Sequence, residues 1–146
     1  MARIYYEQLK PLTHYFPNGN GEAVYNGNMA NIYYYEENYD KSLEHYKRVL
    51  SIFIDKDDGK NTATTYHNIA NVYENLNQLD SAEINYLKAI EIRETKINDS
   101  LGLAKIYGDY ASILMTYEKM EDAAFYFQKA LDYSENVNCH ECVANA

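Results

Sequence analysis

Histidine, cysteine and acidic turn residues are the groups in this chain whose types could support catalysis or metal binding, and their spacing supports neither. His14, His45, His67 and His140 stand in no nucleophile or metal-ligand pattern with the available serines, aspartates and glutamates. Cys139 and Cys142 form one Cys-His-Glu-Cys pair. Such a pair supplies at most half of a tetrahedral zinc site, and no second pair completes it. A redox pair wants a strand-to-helix setting, so the two thiols read as residues entering a helix. Asp57-Asp58-Gly59 matches a fragment of a calcium loop, but the later ligands are missing. An acidic turn is the better reading. No glycine-rich phosphate loop follows a strand. The expectation is a chain that is not an enzyme, with no catalytic residues, no metal and no cofactor.

Bulk composition narrows the partner class. Formal charge is −9, from 13 basic and 22 acidic residues, whereas a nucleic-acid partner needs a basic stripe. The 146 residues, 47% hydrophobic and 24% charged, are enough for a continuous core in one globular domain. The longest apolar runs fall far short of the roughly 20 residues of a spanning helix, so membrane insertion is not expected. The opening Met1-Ala-Arg-Ile-Tyr-Tyr-Glu lacks the apolar segment of an export signal, and the expected location is cytoplasmic. The 17 tyrosines and absent tryptophan suit the partly exposed ridges of a thin helical array, because tyrosine is bulky and apolar with a polar tip.

Helices must position whatever the chain presents. Residues 1–17 read as an amphipathic helix carrying Ile4, Tyr5, Tyr6, Leu9 and Leu12, distorted by Pro11 and closed by the turn residues 17–21. A helix over 22–37 follows, then one to about Ile54 with Asp40 as its N-cap. Glu44 and Arg48 are placed for an exposed i,i+4 pair. After the polar loop 55–61, with Asn61 as cap, a helix runs over 62–76. The next starts with Asp80 and Glu83 in a capping-box pattern, Leu79 stapling against Ile84, and ends near Lys96. The segment 98–100 caps a helix to about Tyr117. The last full helix starts near Glu121, with Met120 and Phe125 as its staple, and frays by 136–138. Residues 139–146 read as the start of a further helix.

The same text recurs. Ser42-Tyr46-Val49, Ala82-Tyr86-Ala89 and Ala123-Phe127-Ala130 align at spacings of 40 and 41 residues. The helices before them align as Met29-Ala30-Tyr33, Ile69-Ala70-Tyr73 and Tyr110-Ala111-Leu114. Two helices approach closely only where one offers a small side chain for the other's bulk. Ala30, Ala70 and Ala111 are therefore expected opposite Ser42, Ala82 and Ala123. Ala2, Tyr6 and Leu9 fall one period before Ser42, Tyr46 and Val49, and Val143-Ala144 falls about one period after Ala104. The domain reading is one array: 1–17 the second helix of a truncated repeat, full repeats at 22–58, 61–97 and 99–136, and 139–146 opening another. A hairpin of this kind cannot bury its apolar faces alone, and the expectation is a piece of a longer protein.

This alternation of small and aromatic residues resembles the tetratricopeptide repeat (TPR) over essentially the whole chain, best in second helices such as Leu79-Asp-Ser-Ala-Glu-Ile-Asn-Tyr-Leu-Lys-Ala-Ile90. The unit is longer than the family's usual 34 residues and resembles the extended unit of kinesin light chains and of bacterial peptide-sensing regulators and sensor kinases. The resemblance implies an all-α, right-handed superhelical solenoid of antiparallel hairpins, whose first helices line a concave face that holds a peptide. Carried over residue by residue, that face takes Val24, Gly27, Asn31, Tyr34 and Tyr35 from the first full repeat. Thr64, His67, Asn71, Glu74 and Asn75 come from the second, and Lys105, Gly108, Ser112, Met115 and Thr116 from the third. Asn31, Asn71 and Ser112 then form a ladder. A carboxamide offers a donor and an acceptor, so such a row can pair with the backbone of an extended peptide. The alternative is that Asn31 and Asn71 bond a neighbouring helix. Tyr73, Tyr86 and the small residues read as scaffold only. Asn31, Asn68 and Lys105 also match the clamp with which some family members hold two carboxylates. Gly27 and Asp109, however, replace two of its cations, leaving too little positive charge.

The implied function is non-catalytic binding of a protein or peptide segment in the concave groove, within a larger signalling protein. Two rivals stand beside it: a sensory segment whose groove is filled by its own parent chain, and a structural spacer or homo-oligomer pairing through its truncated ends.

Overall fold

The computed structural model describes residues 4, 7–8, 10–16, 20–97 and 99–144, with residues 14 and 136–144 described by their backbone alone. Six α-helices follow a short 3-10 turn over Lys10–Tyr15: α1 (Gly21–Tyr35), α2 (Tyr39–Asp55), α3 (Gly59–Asn75), α4 (Leu79–Lys96), α5 (Ser100–Thr116) and α6 (Met120–Ala144). No strand occurs among the described residues. Neighbouring helices pair as the hairpins α1–α2, α3–α4 and α5–α6, and the hairpins stack in chain order through α2 on α3 and α4 on α5. The fold is an all-α solenoid.

Small side chains at the crossings make the stacking possible. Ala30, Ala70, Ala111, Ser42 and Ala82 are fully buried and Ala123 almost so. Ser42 takes an alanine's place without an unpaired hydroxyl, since its Oγ donates to the Ala30 carbonyl at 2.9 Å. Around these contacts Leu43 and Tyr46 of α2 pack with Ile69 and Val72 of α3. Tyr86 and Ile90 of α4 pack with Ile106, Tyr107 and Tyr110 of α5.

Four of the five turns use one device, the exception being the extended Ile97 after α4. Glu37, Asp57, Asn77 and Glu118 have positive φ, from 51° to 59°, and each is followed by an N–H that reaches back to a carbonyl five residues earlier. Those bonds are Asn38 to Tyr33, Asp58 to Phe53, Gln78 to Tyr73 and Lys119 to Leu114, at 2.8–2.9 Å. This is the Schellman closure of a helix. It places the next N-cap directly after the left-handed residue, which moves several expected caps. Asn38, not Asp40, caps α2 through a bond from the Lys41 N–H. Asp58, not Asn61, caps α3, accepting from the Asn61 N–H at 3.0 Å. No side chain caps α4, whose N-cap is Gln78. Asp80 and Glu83 instead accept from Tyr117 and Tyr110 of the following hairpin, at 2.7 and 2.8 Å. Ile84, Met120 and Phe125 are more than half exposed, so neither expected staple forms. Asp99 does cap α5, as its segment predicted.

The expected break at 136–138 is absent. Helix α6 runs without interruption to Ala144, because Asn-Val-Asn contains no proline or glycine and asparagine costs a helix only a few tenths of a kcal/mol. No separate helix therefore starts at 139. Near the other end, the chain around Pro11 is a 3-10 turn, and Ala2, Tyr6 and Leu9 lie outside the described residues. That turn sits so close to α1 that a Cβ on Gly21 would overlap the Thr13 carbonyl. Between the second and third hairpins, Arg93 is 5% exposed and ties three helices, pairing with Asp99 and donating to Thr64 Oγ1 at 3.0 Å. A Cβ on Gly102 would overlap its guanidinium.

Candidate functional site: a groove along the first helices

Helical spacing sets one face of α1, α3 and α5 side by side. Asn31, Tyr34 and Tyr35 on α1, Asn68, Asn71, Glu74 and Asn75 on α3, and Lys105, Asp109 and Ser112 on α5 recur at three- and four-residue intervals, the separation of neighbours on a helix surface. They enclose two adjoining cavities. The first, of about 180 Å³, is lined by Asn31, Tyr34, Tyr35, Tyr46, Asn68, Asn71 and Lys105. The second, of about 300 Å³, is lined by Tyr34, Asn71, Glu74, Asn75, Tyr86, Asp109 and Ser112. Tyr34 and Asn71 belong to both.

Two asparagines are held from behind. Tyr46 of α2 donates its hydroxyl to Asn31 Oδ1, and Tyr86 of α4 approaches Asn71 Oδ1 in the same way. Both phenols are buried and hold their protons. Burial, with smaller contributions from Tyr34 and Tyr35, pushes Tyr46 up to about 12. Burial, and then the Glu74 carboxylate, pushes Tyr86 further up. Tyr86 lies also 3.0 Å from Glu74 Oε2. Asn75 braces the rim, its Nδ2 donating to Tyr34 Oη at 2.9 Å and to the Asn71 carbonyl at 2.8 Å. Tyr34 is wedged edge-on against Tyr35 and Tyr39.

The residues expected on the concave face divide three ways, apart from Val24, Thr64 and Thr116, which line neither cavity. Asn31, Tyr34, Tyr35, Asn71, Glu74, Asn75, Lys105 and Ser112 line the cavities. Gly27 and Gly108 leave open space where a Cβ would stand and, like exposed Met115, wall neither cavity. His67 corrects the expectation. Its side chain is 5% exposed, and its Nε2 lies 2.6 Å from Asp109 Oδ2, with the ring tilted against Tyr86. It supports the wall from inside because α5 brings a carboxylate over it. Tyr46 and Tyr86 correct the expectation in the opposite sense, since their rings stack the hairpins while their hydroxyls reach the groove. One signal in the sequence marks that role. Asn31–Tyr46 and Asn71–Tyr86 are each 15 residues apart, and at the same spacing the third repeat has Ser112 with Phe127, losing amide and hydroxyl together.

Among the described residues no group of three or more histidine, cysteine or acidic side chains could hold a metal. Cys139, His140 and Cys142 lie on α6 where only the backbone is described. No described helix is long and apolar enough to cross a membrane.

Tetratricopeptide repeat models match residues 22–95 and 104–137. Among solved structures, the crystal structure of BtubC (BKLC) from P. vanneervenii superposes with a TM-score of 0.70 at 21% identity. The alignment covers 78% of this chain and 46% of that one, so the chain spans less than half of that protein's length. The likeness is one of fold. No curated protein matches the chain in sequence.

Proposed function

The chain belongs to the tetratricopeptide repeat family, and we propose that it binds an extended peptide segment of a protein partner along the groove of α1, α3 and α5, without catalysing a reaction. Repeats of this family generally mediate protein–protein interactions and are generally a non-catalytic scaffold. The observation that carries the finer reading is the pair of amides, Asn31 and Asn71, each fixed by a buried phenol beside two connected cavities. A fixed amide meets a peptide backbone without first losing side-chain freedom, which is the advantage of preorganisation. A cytoplasmic signalling protein is the setting this reading favours. There the same groove also accommodates a segment of the parent chain.

The test is a selection from a random peptide library on the intact chain, followed by Asn71→Ala. Affinity for the selected peptides is expected to fall about tenfold, with the thermal midpoint almost unchanged, since Tyr86 keeps Glu74 as acceptor. Unchanged affinity, or loss of the fold, would make the asparagine structural and remove the reading's support.

A second reading, self-association, rests on α6. Phe127 and Leu131 are 38% and 55% exposed, whereas Tyr86 and Ile90 at the equivalent positions of α4 are 0% and 6% exposed. An apolar face of this kind favours pairing with a second copy. Sedimentation at rising concentration tests it, and a monomer throughout would exclude it.

A further inference from the structure

The charged groups that line the two cavities are of opposite sign. In the first, Asn31 Oδ1 already accepts from Tyr46, so the amide N–H₂ is the part left to the cavity. Lys105 adds a charged donor with no partner among the described residues, and no carboxylate lines this cavity. The second keeps the Asn71 N–H₂ and the Tyr34 hydroxyl proton as donors but adds two carboxylates, Glu74 and Asp109. Tyr86 has one proton, yet Asn71 Oδ1 and Glu74 Oε2 both stand ready to accept it. The Asn75 amide is committed to Tyr34 and its own helix, and the Ser112 hydroxyl donates to the Gly108 carbonyl. Asp109 receives only the His67 ring, on one oxygen. Two carboxylates and a contested hydroxyl therefore face one cavity, next to another that offers an ammonium and an amide donor.

We propose that the groove selects peptide segments carrying an acidic side chain close to a basic one, the acid meeting Lys105 and Asn31 and the base meeting Glu74 and Asp109. The inference rests on the peptide-binding reading above and adds the ligand's charge pattern to it. A purely acidic segment leaves the second cavity's carboxylates unpaired and repelled, and a purely basic one does the same to Lys105. Acceptors and charges left without partners in a partly desolvated groove weaken binding more than the matched contacts strengthen it. The chain's net charge of −9 attracts any cationic peptide at long range. Dependence on the acid, and on Lys105, is therefore the decisive part.

Chemical-shift titration of the isotope-labelled chain with short synthetic alanine-based peptides tests this. One series contains a glutamate and a lysine at several separations. The controls contain only glutamates, only lysines, or neither. The best mixed peptide is expected to bind about tenfold more tightly than every control, shifting Asn31 and Asn71 side-chain amide signals. Lys105→Glu, at an exposed position, is expected to move the preference to the lysine-only peptide, and Glu74→Gln to weaken the mixed peptide alone. Equal binding of all four classes would overturn the charge pattern and leave peptide binding standing, as would a preference that Lys105→Glu does not alter. Failure of every peptide to perturb the groove would overturn both.

Discussion

The second and third hairpins carry the same helix pair at the same crossings, yet their aromatic positions behave differently. Tyr86 is fully buried between α3, α4 and α5, and its hydroxyl reaches Asn71 and Glu74. Phe127, one repeat later, is 38% exposed and has no hydroxyl to give. The contrast shows that one repeat position holds two separable properties, a ring that fills the inter-hairpin space and a hydroxyl that fixes a groove amide. The ring recurs in all three repeats. The hydroxyl recurs only where an asparagine stands fifteen residues earlier.

The strongest test of that separation removes the ring. Tyr86→Ala is expected to cost about 3–5 kcal/mol in urea unfolding, the usual range for a buried aromatic deleted to alanine. Phe127→Ala should cost clearly less, because part of that residue already faces solvent. Equal costs would mean that the α6 face is covered in solution.

Alkaline pH separates positions 86 and 127 through the phenol that only one of them carries, against a background of raised phenols in the third hairpin as well. Tyr46 is raised from the ordinary 10.0 to about 12, and Tyr86 is raised beyond it. A phenol that is neutral in the fold holds its proton there while the unfolded chain loses it. Its contribution is therefore complete below pH 10 and declines as pH rises towards the folded value. Stability should fall above pH 10 by about 1.4 kcal/mol per pH unit for each such phenol. Tyr86→Phe should make that fall less steep, whereas any substitution at Phe127 that adds no phenol should leave the slope as it is. Denaturant melts across that range, with phenolate absorbance recorded in parallel, give the comparison.

Much of this arrangement was legible in the sequence, and the reason is physical. Close helix crossings constrain side-chain volume at fixed positions, so Ala30, Ala70, Ala82 and Ala123 mark them from spacing alone. The expected groove face came instead from the resemblance to the tetratricopeptide repeat, and Asn31, Tyr34, Tyr35, Asn71, Glu74, Asn75, Lys105 and Ser112 stand around the two cavities. Partners from other hairpins were not legible. Asp80 and Glu83 have the local form of a capping box, yet the phenols of Tyr117 and Tyr110 in the next hairpin take both carboxylates. His67 sits one helical step from Asn71 and looked equally available, until Asp109 on α5 closed over it. Local pattern could not reveal that Tyr86 acts through its hydroxyl, because a packing position explains a tyrosine and a phenylalanine equally well.

Removing the hydroxyl alone gives a smaller effect. Tyr86→Phe keeps the ring and should cost only about 1 kcal/mol of stability. Asn71 would then be free to turn, and affinity for groove-selected peptides is expected to drop several-fold. The reciprocal change, Ser112→Asn with Phe127→Tyr, transplants the pair into the third repeat and should strengthen binding of longer peptides. If Tyr86→Phe lowers stability and leaves affinity untouched, the hydroxyl belongs to the scaffold after all.

The smallest expected effect lies in the turns within the hairpins, where glutamate adopts positive φ in the first and third repeats and asparagine in the second. Glu37, Asn77 and Glu118 occupy equivalent positions at φ of 57°, 56° and 59°. A left-handed conformation costs an ordinary L-residue roughly 1–2 kcal/mol, which glycine avoids and asparagine partly avoids through its short polar side chain. Glycine also loses more backbone freedom on folding, so only part of that cost is recovered. Glu37→Gly and Glu118→Gly are expected to raise stability by about 0.5 kcal/mol each in urea unfolding, and Asn77→Gly by less. The order matters more than the size. If Asn77→Gly gained as much as the two glutamates, backbone strain would not distinguish these turns, and the second hairpin's difference from the third would rest on the Asn71–Tyr86 contact alone.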